Sequence, residues 1–462
     1  MPRFTYSLLL GVAVLVGVTS CRKPAESPAP VDLTIHFTCD TQGRLVPCGC
    51  FSGQLGGLTR LHTMLDLLAA TNSTRVDVGD AIGGAEDYHR IQYGNILAAY
   101  TKMGFVALNM GQREARLDAG HLKQFAETNS VPMVSANLLA AETGEPLLAP
   151  FTTIKRSGTK IGILGVTDDH GIRDELGEGV KIGEMSLAIS QALPKLKAAT
   201  DVLILLAFTD EPGLRKLAEE FYEFDLILGG RVQQSAQELE RANRSYIYYT
   251  ANKSRTLGSI MLRHRPGERS KVTGNDIMLL TPQIPQHKEI KALAADYRKK
   301  IRTTKLDIDD PEKLKADQVP GVRLSSGYVG SDACMNCHQD AFKKWKRSRH
   351  AHAFRSLELF DADADADPTC IACHTVGFGT VSGYQRKFGK TKFTDVGCES
   401  CHGPGSQHVD QYTKGGDITF KFRPLGKDSC RKCHYGEFSR PFDWDSFWPP
   451  VKHGKEPKGK LE

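Results

Sequence analysis

Charge of one sign and cysteine through its middle are what this 462-residue chain lacks. Its 60 lysines and arginines face 54 acidic residues, and the resulting net charge of +6 is too small to argue for a nucleic-acid partner. A long apolar run is missing as well: residues 8–18 form an apolar stretch, but one too short to span a bilayer. Cysteine is absent from position 51 to position 333. The twelve present fall as Cys21 alone, a cluster of Cys39, Cys48 and Cys50, and eight in the last third at one repeated spacing. That unevenness divides the chain before any other signal does.

Arg3, the apolar stretch and the small residues ending at Cys21 read as an export signal over residues 1–21. The ending "VTSC" resembles a bacterial lipoprotein lipobox, which implies that Cys21 is the lipidated first residue of the mature chain and a membrane anchor. An ordinary secretory signal with a bystander cysteine is the alternative. Arg22 is not the aspartate that favours inner-membrane retention in such lipoproteins. The resemblance therefore points to the outer membrane, on its periplasmic side or at the cell surface. Residues 22–32 are a tether.

From residue 33 to 285 short apolar runs ("LTIHFT", "STRVDVGD", "KIGILGVT", "DVLILLAF", "FDLILGG", "SYIYYTA") alternate with amphipathic segments, which argues an α/β domain. Residues 286–326 hold a charged, helix-periodic stretch, "HKEIKALAADYRKKI", expected as a surface or bridging helix, and then a linker. Residues 327–462 form a second domain, expected to be mainly helical and rich in loops. Its "DADADAD" (361–367) reads as a solvated acidic loop.

The second domain repeats C-x-x-C-H four times: Cys334/Cys337/His338, Cys370/Cys373/His374, Cys398/Cys401/His402 and Cys430/Cys433/His434. Two thiols three residues apart on a tight turn can add to both vinyl groups of one porphyrin, and the next imidazole then lies under the iron. Zinc and redox disulfides also use C-x-x-C. Four copies, each followed by histidine in an exported chain, favour four covalent c-type haems with His338, His374, His402 and His434 as proximal ligands. Residues 327–462 contain four further histidines, His350, His352, His408 and His453, one for each remaining axial position. His408 is expected on a neighbouring haem rather than on that of its own motif. His350 and His352, two apart, would point different ways on a helix. So few residues cannot wrap four macrocycles in conventional core, so the porphyrins must largely be the core.

"ACMNCHQDAFKKWKRSRHAHAF" and "DVGCESCHGPGSQHV" resemble the cytochrome c-554-type multihaem proteins over roughly residues 328–440. The resemblance implies electron transfer through a packed haem array, with distal ligands at His350 and His408 and tolerance of one five-coordinate haem.

Residues 33–265 are similar to the 5′-nucleotidase branch of the metallophosphatases, from "LTIHFTCDTQGRL" and "GGLTRLHTML" through "VDVGD", "NMGQRE" and "DLILGG". The likeness implies a two-sheet α/β sandwich with its site at the strand ends. Asp40 and Asp80 match that family's metal-binding positions. The family's other ligands are replaced: Gln42 stands for a histidine, Gly111–Gln112–Arg113–Glu114 for Gly-Asn-His-Glu, and the later histidines align with Phe208, Arg231 and Gln233. Two carboxylates cannot clamp two metal ions, and arginine cannot donate a proton at useful pH. Cys39, Cys48 and Cys50 beside Asp40 and Asp80 would either bind a soft metal such as copper or zinc, or form one disulfide with a thiol left over. His36 and His89 are further candidates there, although a lone strand histidine is more often core.

These readings lead to an electron-transfer cytochrome exchanging electrons with other redox proteins, cytochromes or quinol-linked donors, with no confident catalytic residue. The alternatives are a redox enzyme acting on a small molecule at an open haem or at the cysteine cluster, and, less favoured, a phosphoesterase with an accessory cytochrome.

Overall fold

The computed structural model describes, besides Met1, residues 29–47, 54–70, 72–251, 253–314, 326–360, 363–415, 420, 422, 425–435 and 441–454. The export signal, Cys21, Cys48 and Cys50 lie outside the described residues. Among the described residues no helix is long and apolar enough to cross a membrane.

Alternation along the strands builds two facing sheets. In the first, β1 (Val31–Thr38), β2 (Ser73–Asp77), β3 (Phe105–Asn109) and β4 (Met133–Val134) run parallel. Two antiparallel strands, β13 (Thr256–His264) and β14 (Lys271–Leu279), extend it beyond β1. The second has the order β11 (Glu240–Ala242), β12 (Ser245–Tyr249), β10 (Leu226–Gly230), β9 (Val202–Phe208), β7 (Thr159–Thr167), β6 (Phe151–Arg156). Its four inner strands are parallel. A small antiparallel pair, β5 (Leu138–Ala140) with β8 (Val180–Ile182), lies apart.

Leu33, Ile35 and Phe37 of β1 share one buried cluster with Val202, Ile204, Leu206 and Phe208 of β9, so the inner faces pack on each other. The odd residues of β9, Leu203, Leu205 and Ala207, face the other way onto α4 (Met185–Ala199) and α5 (Glu211–Glu220). That two-sided burial is why "DVLILLAF" reads as an unbroken apolar run. The outer face of the first sheet carries α1 (Leu58–Leu67), α2 (Asp87–Lys102) and α3 (Ala119–Thr128). Each fully buried Leu or Ile contributes about 1.5–3 kcal/mol, so these clusters dominate the stability of the lobe.

The charged stretch expected as a surface or bridging helix is α6 (Lys288–Thr303), and it does more than lie on the surface. Ile290, Ala294, Tyr297 and Ile301 follow i, i+4, i+7, i+11 spacing and bury in the same cluster as α1 and α2. Its charges occupy the other face. Its far end meets the second lobe: the Tyr297 hydroxyl donates to Asp367 Oδ1 at 3.2 Å, and Arg302 pairs with Asp363 and Asp365. This overturns the expectation of a solvated acidic loop for the described residues 363–367. Asp363 and Asp365 share the Arg302 guanidinium, while Asp367 is buried and caps α9 (Pro368–His374) through the Thr369 N–H. Arg386 completes the junction, donating to both oxygens of Asp309 and to the carbonyls of Ile301 and Ala366.

The second lobe is helical and loop-rich, with α7 (Gln339–Lys346), α8 (Ala353–Phe360), α9, α10 (Cys398–His402), α11 (Ser406–Lys414), α12 (Lys427–Arg431) and α13 (Trp444–Phe447). Its apolar cluster is thin: Phe354, Leu357, Ala364, Ile371 and Tyr384 are its buried members. A lobe with so small a core is built to close around something else.

Candidate functional sites

Each C-x-x-C-H segment is one short helical turn. In the first and fourth, the histidine N–H bonds back to the first cysteine's carbonyl at 2.9 Å, which places both thiols on one side of the turn. The second follows Asp367 and Pro368, an N-cap and N1 pair; the third ends at Gly403, whose φ of +89° lets the chain turn sharply into α11. No disulfide joins any of the eight cysteines, and all are at least partly accessible. The Cys334 and Cys398 thiols are hydrogen-bonded to each other, as are Cys373 and Cys433. The first motif thus adjoins the third, and the second the fourth.

The attachment cysteines differ in exposure, and Cys337 lies at the surface of the lobe. It is exposed, as is Cys401, whereas the other six attachment cysteines are partly buried. The reason is how the first turn packs: Ser331 at its start is the buried residue, so Met335 and Cys337 at its end face outwards. Unlike Cys334, Cys337 is not hydrogen-bonded to a thiol of another motif among the described residues. An exposed thiol remains open to thioether formation, so Cys337 keeps its place in the first motif as a residue of the lobe's rim.

The histidines pair across motifs. His338 faces His408 with ring centroids 6.1 Å apart and planes 20° from parallel. His434 faces His350 at 5.9 Å, and His402 faces His453 at 5.9 Å. A metal–imidazole bond is about 2 Å and the ring centre lies about 1 Å behind the nitrogen, so an ion held between two trans imidazoles needs centroids roughly 6 Å apart. All three centroid separations match that length. Burial lowers the pKa of His350, His402 and His408, keeping each neutral as a metal ligand must be.

His374 differs. Its Nδ1 lies 2.7 Å from the Ala353 carbonyl, to which it donates as the Nδ1–H tautomer, leaving Nε2 free to ligate. No histidine ring faces it among the described residues. His352 is exposed, and no ring contact involves it among the described residues. Backbone contacts fix His350 instead: its carbonyl accepts from Val396 N at 3.1 Å, and the Trp345 indole donates to Val396 O at 2.8 Å. The thiols, the gaps and the thin core fit covalently attached haem.

Sequence reasoning passed over Glu399, the variable residue of "CESCH". Its buried carboxylate accepts N–H bonds from Val329, Gly330 and Gly405, clamping the domain entrance to the third motif. A glutamate inside a haem motif carries no recognisable spacing signal. It joins residues 329–330 to residues 399–405.

In the first lobe the strand ends bring together what the alignment anticipated. Asp40 follows β1, Asp80 follows β2, Gln112–Glu114 follow β3, and Asp168 and Arg231 follow β7 and β10. Asp40, Gln42, Asp80, Arg231 and Lys253 all have positive φ, between 46° and 60°, strain of the kind that gathers at functional sites. Yet the carboxylates are already engaged. The Gln42 amide donates to Asp40 Oδ1, Arg113 N donates to Asp80 Oδ1 at 2.7 Å, and the Arg113 guanidinium lies 3.7 Å from Asp80 Oδ2. Arg231 bridges Asp168 at 2.9 Å and Asp210 at 3.1 Å. Glu114 accepts from the N–H groups of Asp80, Ile82 and Gly111. Burial raises the pKa of Asp40, and burial with the neighbouring Glu114 raises that of Asp80. Guanidinium groups occupy the place of positive metal charge, so these residues do not fit a two-metal centre.

Cys39 is not presented to that site. Its thiol is buried beneath the strand ends in the inter-sheet core, bonded to the Gly79 carbonyl at 3.6 Å and packed against Gly230, where an added Cβ would lie 2.0 Å from its Sγ. Burial raises its pKa well above the free value. His36 is buried with both ring nitrogens unpartnered, and His89 bonds Gln92 and pairs with Glu86. Gln233 is exposed and Phe208 is core.

The family described as cytochrome c554 and c-prime matches residues 333–403. Cytochrome c-554 of Nitrosomonas europaea is 36% identical over 118 residues, covering 23% of this chain and 49% of that protein. A 5′-nucleotidase of Vibrio cholerae is 24% identical over 256 residues, covering 49% of this chain and 45% of that protein. Among solved structures, a 5′-nucleotidase precursor from Thermus thermophilus superposes with a TM-score of 0.51 at 19% identity, covering 59% of each chain. The chain spans about half the length, or less, of the curated relatives it matches. The likeness to the nucleotidase shows the two-sheet sandwich fold; the likeness to cytochrome c-554 marks the second lobe as similar to a multihaem cytochrome.

Proposed function

We propose that this chain is an exported, lipid-anchored electron-transfer protein whose second lobe holds four covalent haems and whose first lobe is a phosphatase scaffold turned to docking. The observation that carries the reading is the set of three cross-motif imidazole pairs, each spaced for an intervening iron. Haem iron, when bound, supplies reversible one-electron chemistry. The chain's part is to hold three of the four sites by residues far apart in sequence: His408 reaches the first motif, His350 the fourth and His453 the third. Anchoring through Cys21 at the outer membrane, on either face, rests on "VTSC" and Arg22. Exchange with other redox proteins, cytochromes or quinol-linked donors, follows from the exposure of the motifs, Cys337 and Cys401 above all.

A second reading has an observation of its own. His374 is oriented by Ala353 as a ligand yet faces no second histidine among the described residues, which favours an open position at the second motif. A small molecule would bind there, making the chain a redox enzyme. Electron paramagnetic resonance of the holoprotein decides between them. Three low-spin irons and one high-spin iron, the latter binding CO when reduced, support the second reading. Four low-spin irons with no CO response support pure electron transfer. Fewer than three low-spin irons, or no haem, would sink both.

A further inference from the structure

His62, Asp66 and His287 belong to neither site described above. His62 and Asp66 stand four residues apart on α1, which puts both on one face of the helix. His287 occupies the N-cap of α6, a position where Ser, Thr, Asp or Asn would ordinarily bond the helix's free N–H groups. Its side chain makes no such bond. Instead its backbone N–H donates to the Thr59 carbonyl at 2.8 Å, and Thr59 Oγ1 donates to Gln286 Oε1 at 3.3 Å, which lays the ring against α1.

Three polar groups therefore converge on one point. His62 Nε2 is 3.7 Å from Asp66 Oδ1, and His287 Nε2 is 3.7 Å from Asp66 Oδ2. The ring centroids are 3.9 Å apart at 51°. Those nitrogen–oxygen distances are too long for hydrogen bonds. They are close to the separation of about 3.3–3.6 Å between ligand atoms that each sit about 2.0–2.2 Å from a tetrahedral ion. Nδ1 of both rings is buried without a hydrogen-bond partner, so no hydrogen bond at Nδ1 anchors either imidazole. Asp66 is half exposed, which gives an ion a way in and a water the fourth position.

We propose that His62, Asp66 and His287 bind one divalent transition-metal ion of the zinc type, stapling the start of α6 to α1. Two imidazoles and one carboxylate suit zinc, and not magnesium or calcium, which take oxygen ligands. Because the far end of α6 carries the contacts to the second lobe, the ion fixes the helix on which that lobe is seated.

The test uses the full haem-loaded chain, stripped with EDTA and titrated with Zn²⁺ alone. The expected result is one equivalent bound per chain, with affinity reduced at least tenfold in His287→Gln and in Asp66→Asn. His121→Gln, which alters a histidine paired with Asp118 on α3, leaves it unchanged. Both informative variants replace partly exposed side chains, and an unaltered haem spectrum with unaltered circular dichroism certifies the fold. Zinc-edge X-ray absorption is expected to show nitrogen and oxygen neighbours only. Equal affinity in all variants, absence of zinc binding, or sulfur in the zinc shell would overturn the proposal.

Discussion

His36 shows what one buried side chain contributes. It sits in β1 with both nitrogens unpartnered, and burial, then the Arg75 charge, pushes its pKa from 6.5 down to about 4. A histidine whose folded pKa is depressed contributes stability that is complete above pH 6.5 and is lost as pH falls towards 4. At pH 5 the loss is about 2 kcal/mol. His36→Phe should remove that part of the acid sensitivity, seen as a smaller drop in urea midpoint between pH 7 and pH 5. The distal histidines separate by the same logic of partners. His408→Ala takes away the ring facing His338, so the holoprotein should lose one low-spin signal and gain one CO-binding iron. His352→Ala should change neither, because no ring faces His352 among the described residues.

At the scale of elements, the two lobes use one device: a buried glutamate gathering backbone N–H groups from separate segments. Glu399 holds Val329, Gly330 and Gly405 together; Glu114 holds Asp80, Ile82 and Gly111. Glu399→Ala leaves those donors unsatisfied, each costing about 1–3 kcal/mol. The expected outcome is faster hydrogen exchange at residues 327–330 and 403–406, with strand exchange in the first lobe unchanged. The α6 junction is held by charge. Arg386→Met removes the cation beside the partly buried Asp309 carboxylate, which keeps the Leu306 N–H, a loss of about 1–3 kcal/mol. Faster exchange over residues 300–310 should reveal it. Helix α6 itself was readable as a helix from its period, but its charged composition hid that one face is core.

At the scale of the molecule, the strand ends of the two-sheet sandwich set guanidinium charge against their carboxylates. Arg113 beside Asp80, and Arg231 between Asp168 and Asp210, leave no carboxylate pair free for a two-metal centre. Incubation with AMP and Mn²⁺ or Mg²⁺ should therefore release no more phosphate than an Asp80→Asn control. Much of this was legible in the residues. Covalent chemistry is local, so C-x-x-C-H declares its purpose within five residues, and the unbroken run "DVLILLAF" declares two-sided burial, whereas the polar His36 and Thr38 of "LTIHFT" hid that its second face is buried too. What only the tertiary structure decided is everything that depends on which distant residues meet: which histidine faces which motif, that Cys39 points into the core while Cys337 lies at the rim, that Asp363 and Asp365 are paired with Arg302, and that His287 lies against α1. A neighbour along the chain is set by covalent geometry, whereas a neighbour across the fold is set by how all the buried surfaces pack at once.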